Sequence, residues 1–133
     1  MLFKQNFRIY YNHTDAGGVV YHSNYLTFCE QTRSEFLRNV GLEQIKLKQE
    51  NNILFVVANA NISYKHPAKL DDLITVSIEK IDVVGPKLKM LQHVYCENKL
   101  LFICDIEIVA INNEYKLYRK IPEFVINKLF NIN

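Results

Sequence analysis

Glycine and proline are scarce, with four and three in 133 residues. So few breakers exclude a collagen-like or low-complexity chain, and each one present marks a place where the backbone needs it. An excess of charge of one sign is also missing. The 16 basic and 14 acidic residues leave a net charge of +2, which excludes a protein whose main work is gripping nucleic acid. The longest apolar run, from Ile53 to Ala58, falls far short of the ~20 residues a membrane-spanning helix needs. Residues 1–7 hold no apolar core long enough for a signal peptide. The three cysteines, Cys29, Cys96 and Cys104, are odd in number and lack the close spacing of a zinc or redox pair. They are expected to be buried free thiols in a reducing compartment, the cytoplasm.

What is present is ordinary globular material. Apolar residues make up 49% and charged residues 23%, in a length that suits one domain. No repeat, linker or low-complexity tract divides it, so residues 1–133 are expected to form a single unit. Residues 5–11 have the Phe, Ile and Tyr content of a first strand. From Ser23 to Val40 the period turns helical: Tyr25, Cys29, Thr32, Phe36 and Val40 fall on one face. Ser23 or Asn24 is placed to cap the start, and Gly41 to end it with positive φ. A short second helix is expected over 43–50.

Alternation then takes over. In 54–65, Leu54, Val56, Ala58, Ala60, Ile62 and Tyr64 are expected on one face, and Asn59, Asn61, Ser63 and Lys65 on the other. Residues 73–83, 87–97 and 100–111 continue the pattern, followed by a short strand over 115–119 and a helix after Pro122. This predicts an α+β fold: an antiparallel meander with one wet face, wrapped around one long central helix. That helix, of ~18 residues, would span ~27 Å, about the width of five or six strands.

The densest chemistry lies in the loop and helix entrance over residues 11–25. It holds Asp15, His13, His22, three tyrosines and the Gly17–Gly18 pair, which lets the backbone approach a ligand closely. The first helical turn adds backbone N–H groups without intrahelical partners, aimed at the positive end of the dipole. The combination suits a carbonyl or phosphate that gains negative charge. The alternative is a structural loop, with Asp15 capping its own turn and the histidines solvated.

The run Arg8-Ile9-Tyr10-Tyr11-x-x-Thr14-Asp15-Ala16-Gly17-Gly18-Val19-Val20-Tyr21-His22-x-Asn24-Tyr25 resembles the signature of the 4-hydroxybenzoyl-CoA thioesterase family, and within it the YbgC-type acyl-CoA thioesterases. Further matches follow in register: Glu30, Arg33, Glu35, Leu37 and Arg38, then Tyr64-x-x-Pro67-Ala68-x-x-Asp71-Asp72, then Gly85 and Gln92. The resemblance implies a hotdog fold, thioesters of coenzyme A or acyl carrier protein as substrates, and no metal or redox cofactor. It also implies dimers whose sheets join, often paired into tetramers, with the active site near the dimer interface, and a place in lipid metabolism.

The resemblance further implies catalytic roles. Asp15 is the acting carboxylate, as nucleophile or as general base on water. The backbone N–H of His22 donates to the thioester oxygen, and Tyr11 helps position the acid. Gly17, Gly18, Val19, Tyr21, Asn24 and Tyr25 are expected to contact substrate, with Lys65 and Lys87 toward its phosphates. His13 stands where an acidic residue is common in relatives. The hairpin Val84-Gly85-Pro86-Lys87 replaces a frequent Arg-Gly-x-Ser.

Other readings of the same residues are blander. Glu30 is a second candidate carboxylate, or pairs with Arg33 or a backbone group. Cys29 reads as core. A metal site at His13, Asp15 and His22 lacks ligand spacing on a helix. Two other functions use the same fold: a hydratase or dehydratase, and a non-catalytic module docking on acyl carrier protein or lipid-synthesis enzymes.

Overall fold

The apolar stripe expected over 23–40 forms α1 (Asn24–Asn39), which buries Tyr25, Phe28, Cys29, Thr32, Arg33, Phe36 and Leu37. Its end is a Schellman closure. Gly41 has φ +82°, its N–H reaches the Arg38 carbonyl (3.1 Å), and the Leu42 N–H reaches the Leu37 carbonyl (2.7 Å). The start differs from expectation, because Ser23 occupies the N-cap position with no side-chain cap hydrogen bond.

The structure is a computed structural model describing residues 1–131. Around α1 lie β1 (Phe3–Arg8), α2 (Gln44–Asn51), β2 (Leu54–Tyr64), β3 (Leu73–Ile78), β4 (Lys80–Val84), β5 (Lys87–Cys96), β6 (Lys99–Ile111) and α3 (Glu123–Leu129). The strands form one antiparallel sheet in the order β1-β3-β5-β6-β2, with β4 also paired to β5. The expected meander is therefore only partial. β5 and β6 are sequential neighbours, whereas β1 and β2 sit on opposite edges because the two helices between them carry the chain across the sheet.

The expected strand over 73–83 breaks at Glu79 into β3 and β4, which pair with opposite ends of β5. The expected strand at 115–119 is reduced to a single bridge between Ile111 and Leu117.

The inward face of the sheet, including Ile74, Val76, Ile78, Leu88, Met90, Val94, Phe102, Cys104 and Ile106, closes on α1 to form the core. β2 departs from simple alternation. A bulge between Val57 and Asn59 leaves Ala58 without a β6 partner. Residues directly opposite in an antiparallel ladder share a face. Val57 opposes buried Ile108, and Ala60 and Ile62 oppose buried Ile106 and Cys104. Phe55 and Val57 therefore face inward before the bulge, in place of the expected Leu54 and Val56. Beyond it, Ala60, Ile62 and Tyr64 face inward as expected.

One charge enters the core. Arg33 is only 7% exposed, and burial pulls its guanidinium below its ordinary pKa. Its Nη1 donates to Gln92 Oε1 (2.9 Å), and Gln92 Nε2 donates to the Cys29 carbonyl (3.0 Å). Gln92 thus ties β5 to α1 through both ends of its amide. Gln92→Ala strips this acceptor from a buried cation and is expected to destabilise the fold by about 2–4 kcal/mol, measured by urea unfolding followed by circular dichroism.

Candidate active site

The loop after β1 is folded by its own polar atoms. The Tyr10 N–H donates to His13 Nδ1 (2.9 Å), so that nitrogen carries no proton. The His13 ring packs edge-on against Phe28, with centroids 5.0 Å apart. His13 therefore serves the fold and does not line the cavity beside Asp15. A tight hairpin follows, closed by a bridge between Thr14 and Val20. At its root the Asp15 N–H donates to the Val19 carbonyl (2.9 Å), and the Gly18 N–H returns to the Asp15 carbonyl (3.0 Å). The Gly17 N–H donates to Asp15 Oδ1 (2.8 Å). One carboxylate oxygen is thus held by an Asx turn, and Oδ2 makes no hydrogen bond among the described residues. Asp15, Tyr11, Thr14, Ala16, Gly18 and Leu70 line a surface cavity of about 370 Å³. Tyr11 is 83% exposed.

The helix entrance forms a second cavity, of about 210 Å³, lined by Val20, His22, Tyr25, Tyr64, Lys65, His66 and Pro67. Asp15 and His22 are therefore not brought onto one cavity within a single chain. The His13 carbonyl anchors the entrance by accepting both the Tyr21 N–H (2.9 Å) and Asn24 Nδ2 (2.8 Å). Asn24, expected to touch substrate, thus ties the loop to the helix. The Asn24 N–H in turn holds the Tyr21 carbonyl (2.9 Å). Among the described residues no hydrogen bond engages the His22 N–H, so that donor is open for a ligand oxygen.

Aromatic side chains build the floor. Tyr25 is buried and stacks on Phe102 at 5.0 Å. Its hydroxyl accepts the Ala68 N–H (2.9 Å), and burial raises its pKa. Tyr64 packs against both rings, and its hydroxyl donates to the His22 carbonyl (2.9 Å). Tyr21 stands exposed beside the His22 ring, 4.3 Å away. Val19 bridges to Lys69. Tyr64, His66, Pro67 and Leu70 were not singled out as site residues from sequence. The placement of Tyr64 as the last inward residue of its strand was the available signal.

Residues 10–129 match the thioesterase-like superfamily. The chain belongs to it. Similar superfamily members include the acyl-CoA thioester hydrolase YbgC of Escherichia coli O6:H1, 35% identical over 94% of this chain and 93% of that protein. The acyl-CoA thioesterase YbgC of Haemophilus influenzae is 38% identical over 79% and 77% of the two chains. A probable thioesterase from Bartonella henselae superposes with a TM-score of 0.80 at 35% identity, covering 90% of this chain and 98% of that one. The fold is the superfamily's hotdog fold, an antiparallel sheet around a central helix.

Within this superfamily chain, several expected residues lie away from the helix entrance. Lys87 Nζ is 3.5 Å from Glu107 Oε2. The β6 partners of Lys87 and Tyr64 are Val109 and Phe102, about 24 Å apart at ~3.4 Å per residue. Glu30 is exposed and accepts the Ser34 hydroxyl (3.0 Å), while Arg33 turns to Gln92. A hydrogen bond to Cys104, together with burial, holds the Cys29 thiol protonated, which fits a core role. Cys96 is only half-buried, contrary to expectation.

The two glycines of the hairpin differ in what a methyl group would meet. At Gly18 a Cβ would touch nothing within 4 Å, but φ is +82°. Gly18→Ala is therefore expected to cost about 1 kcal/mol of stability through the backbone alone, read from the thermal midpoint. At Gly17 a Cβ would lie 3.2 Å from Asp15 Oδ1. Gly17→Ala is expected to displace that carboxylate, seen as a shift in its carboxyl ¹³C resonance.

Proposed function

We propose that this chain hydrolyses acyl-CoA thioesters to the free acid and coenzyme A. The observation that carries the reading is the open His22 N–H at the entrance of α1, beside a cavity with an aromatic floor. A thioester oxygen placed there accepts that N–H at the positive end of the helix dipole, where the tetrahedral intermediate concentrates its charge. Asp15 supplies the carboxylate. It either attacks the carbonyl carbon, giving an anhydride that water opens, or takes a proton from an attacking water. In both routes the C–S bond breaks and the electron pair leaves on sulfur. A thiol has a pKa near ~8.5, so it leaves without a strong general acid.

The separation of Asp15 from His22 supports a site completed by a second copy. β2 offers the surface for it. Val56 to Asn61 are exposed residues on an edge strand with no charge among them, whereas edges that stay free are commonly guarded by charge. A two-fold pairing of β2 with its copy joins two six-stranded sheets. The antiparallel seam brings the Lys87 end of one sheet toward the partner's Lys65, so both lysines serve one phosphate-bearing substrate. Tyr11 lines the cavity beside Asp15, where its hydroxyl helps position the acid. Further pairing into a tetramer, a place in lipid metabolism and the reducing cytoplasm belong to the same reading, the last supported by the free thiols.

The test is release of free thiol from short, long and aromatic acyl-CoAs, with an acyl carrier protein thioester in the same panel. Asp15→Asn is expected to lose about 100-fold or more in kcat. Full activity in that variant would remove Asp15 from the mechanism and make Glu30 the next carboxylate to test. Val57→Lys puts a charge on the uncharged stretch of β2, the device that guards a free edge. It is expected to shift sedimentation toward the monomer and to lower activity in parallel, while an unchanged oligomer would place the interface elsewhere.

A further inference from the structure

The entrance of α1 lacks its usual restraint, since Ser23 makes no side-chain cap hydrogen bond. An uncapped first turn is free to fray. Two hydrogen bonds, one local and one from β2, take over that task. The peptide that carries the His22 N–H is fixed through its other end, the Tyr21 carbonyl, by the Asn24 N–H (2.9 Å). The next peptide is fixed through the His22 carbonyl by the Tyr64 hydroxyl (2.9 Å). Peptide units are planar, so gripping both peptides that flank the His22 Cα leaves its N–H little freedom to turn.

Tyr64 is well built for such a grip. It is the last residue of β2, and its ring is held by Phe102 at 5.0 Å and by Tyr25 at 5.6 Å, nearly perpendicular at 80°. Tyr25 in turn accepts the Ala68 N–H (2.9 Å), next in the chain to Pro67 of the cavity lining. Burial raises the Tyr64 hydroxyl above its ordinary pKa, so it remains a donor across the neutral range.

We propose that Tyr64 is a positioning residue: its hydroxyl holds the His22 carbonyl so that the His22 N–H stays aimed at the thioester oxygen. The proposal rests on the thioesterase reading of the site. It concerns rate and not affinity, because a donor fixed in place acts most where charge develops in the transition state.

Tyr64→Phe keeps the ring stack and removes only the hydroxyl. Its kcat is expected to fall about tenfold or more with KM within about twofold of wild type. The His22 and Ser23 amide resonances should move while those of Phe102 to Ile106 stay in place. An unchanged kcat overturns the proposal. A raised KM with kcat intact also overturns it, by making Tyr64 a binding contact. A variant that fails to fold does the same, by making the hydroxyl a stability element. Wild type and Asp15→Asn run alongside on the same substrate. If wild type is inactive, the thioesterase reading fails, and the amide shifts alone then decide whether the clamp exists.

Discussion

The burial of one helical stripe governs this molecule. α1 carries Tyr25, Phe28, Cys29, Phe36 and Leu37 on its buried side, and among the described residues no other helix is long enough to cover them. A curved antiparallel sheet can. Each strand presents alternate apolar residues to the helix, and the natural twist of the sheet lets them close around it. Because α1 crosses between the first and second strands, those two strands come to rest on opposite edges. The entrance of α1 is then fixed beside the end of β2, where Tyr64 and Pro67 already lie. The placement of the site is thus a by-product of how the core is covered.

Polar atoms give that core a single arrangement. The Arg33–Gln92–Cys29 chain of hydrogen bonds links helix to sheet at one level only. A purely apolar contact would tolerate sliding, whereas a buried guanidinium with one side-chain acceptor does not. At the other end of α1, the His13 carbonyl collects donors from Tyr21 and Asn24 and sets the loop against the helix. Between these two anchors the first turn of α1 has little room to move, which is what a backbone donor needs if it is to serve as a reaction partner.

Much of this was legible in the sequence. The helix was visible because its apolar spacing is regular and Gly41 ends it. The later strands were visible because they alternate cleanly, and the family because the loop over 11–25 resembles its signature. What escaped depended on single residues acting through tertiary contacts. The Ala58 bulge reverses the facing of Leu54 to Val57, and no local propensity marks it. The break at Glu79 divides one apparent strand in two. His13 read as a change of charge near Asp15, yet its ring belongs to Phe28. Asn24 read as a ligand contact, yet its amide holds a carbonyl. Each of these depends on which neighbour a polar atom finds after folding, and that information is not carried by spacing.

The Ala58 bulge also has a genetic consequence. Loss of its codon would take out only the unpaired residue. Val57 would stay opposite Ile108 and Asn59 opposite Glu107, so Phe55 and Val57 would keep facing the helix and the strand would run in strict alternation. Loss of a second neighbouring codon is different. With Val57 gone as well, Val56 would take the place opposite Ile108, and Leu54 and Val56 would turn under the helix while Phe55 turned out. The bulge is thus a spare letter in the strand. In lineages of this fold, one deletion at that position is silent for the surface that faces the core, and the next acts as a change of reading frame for it.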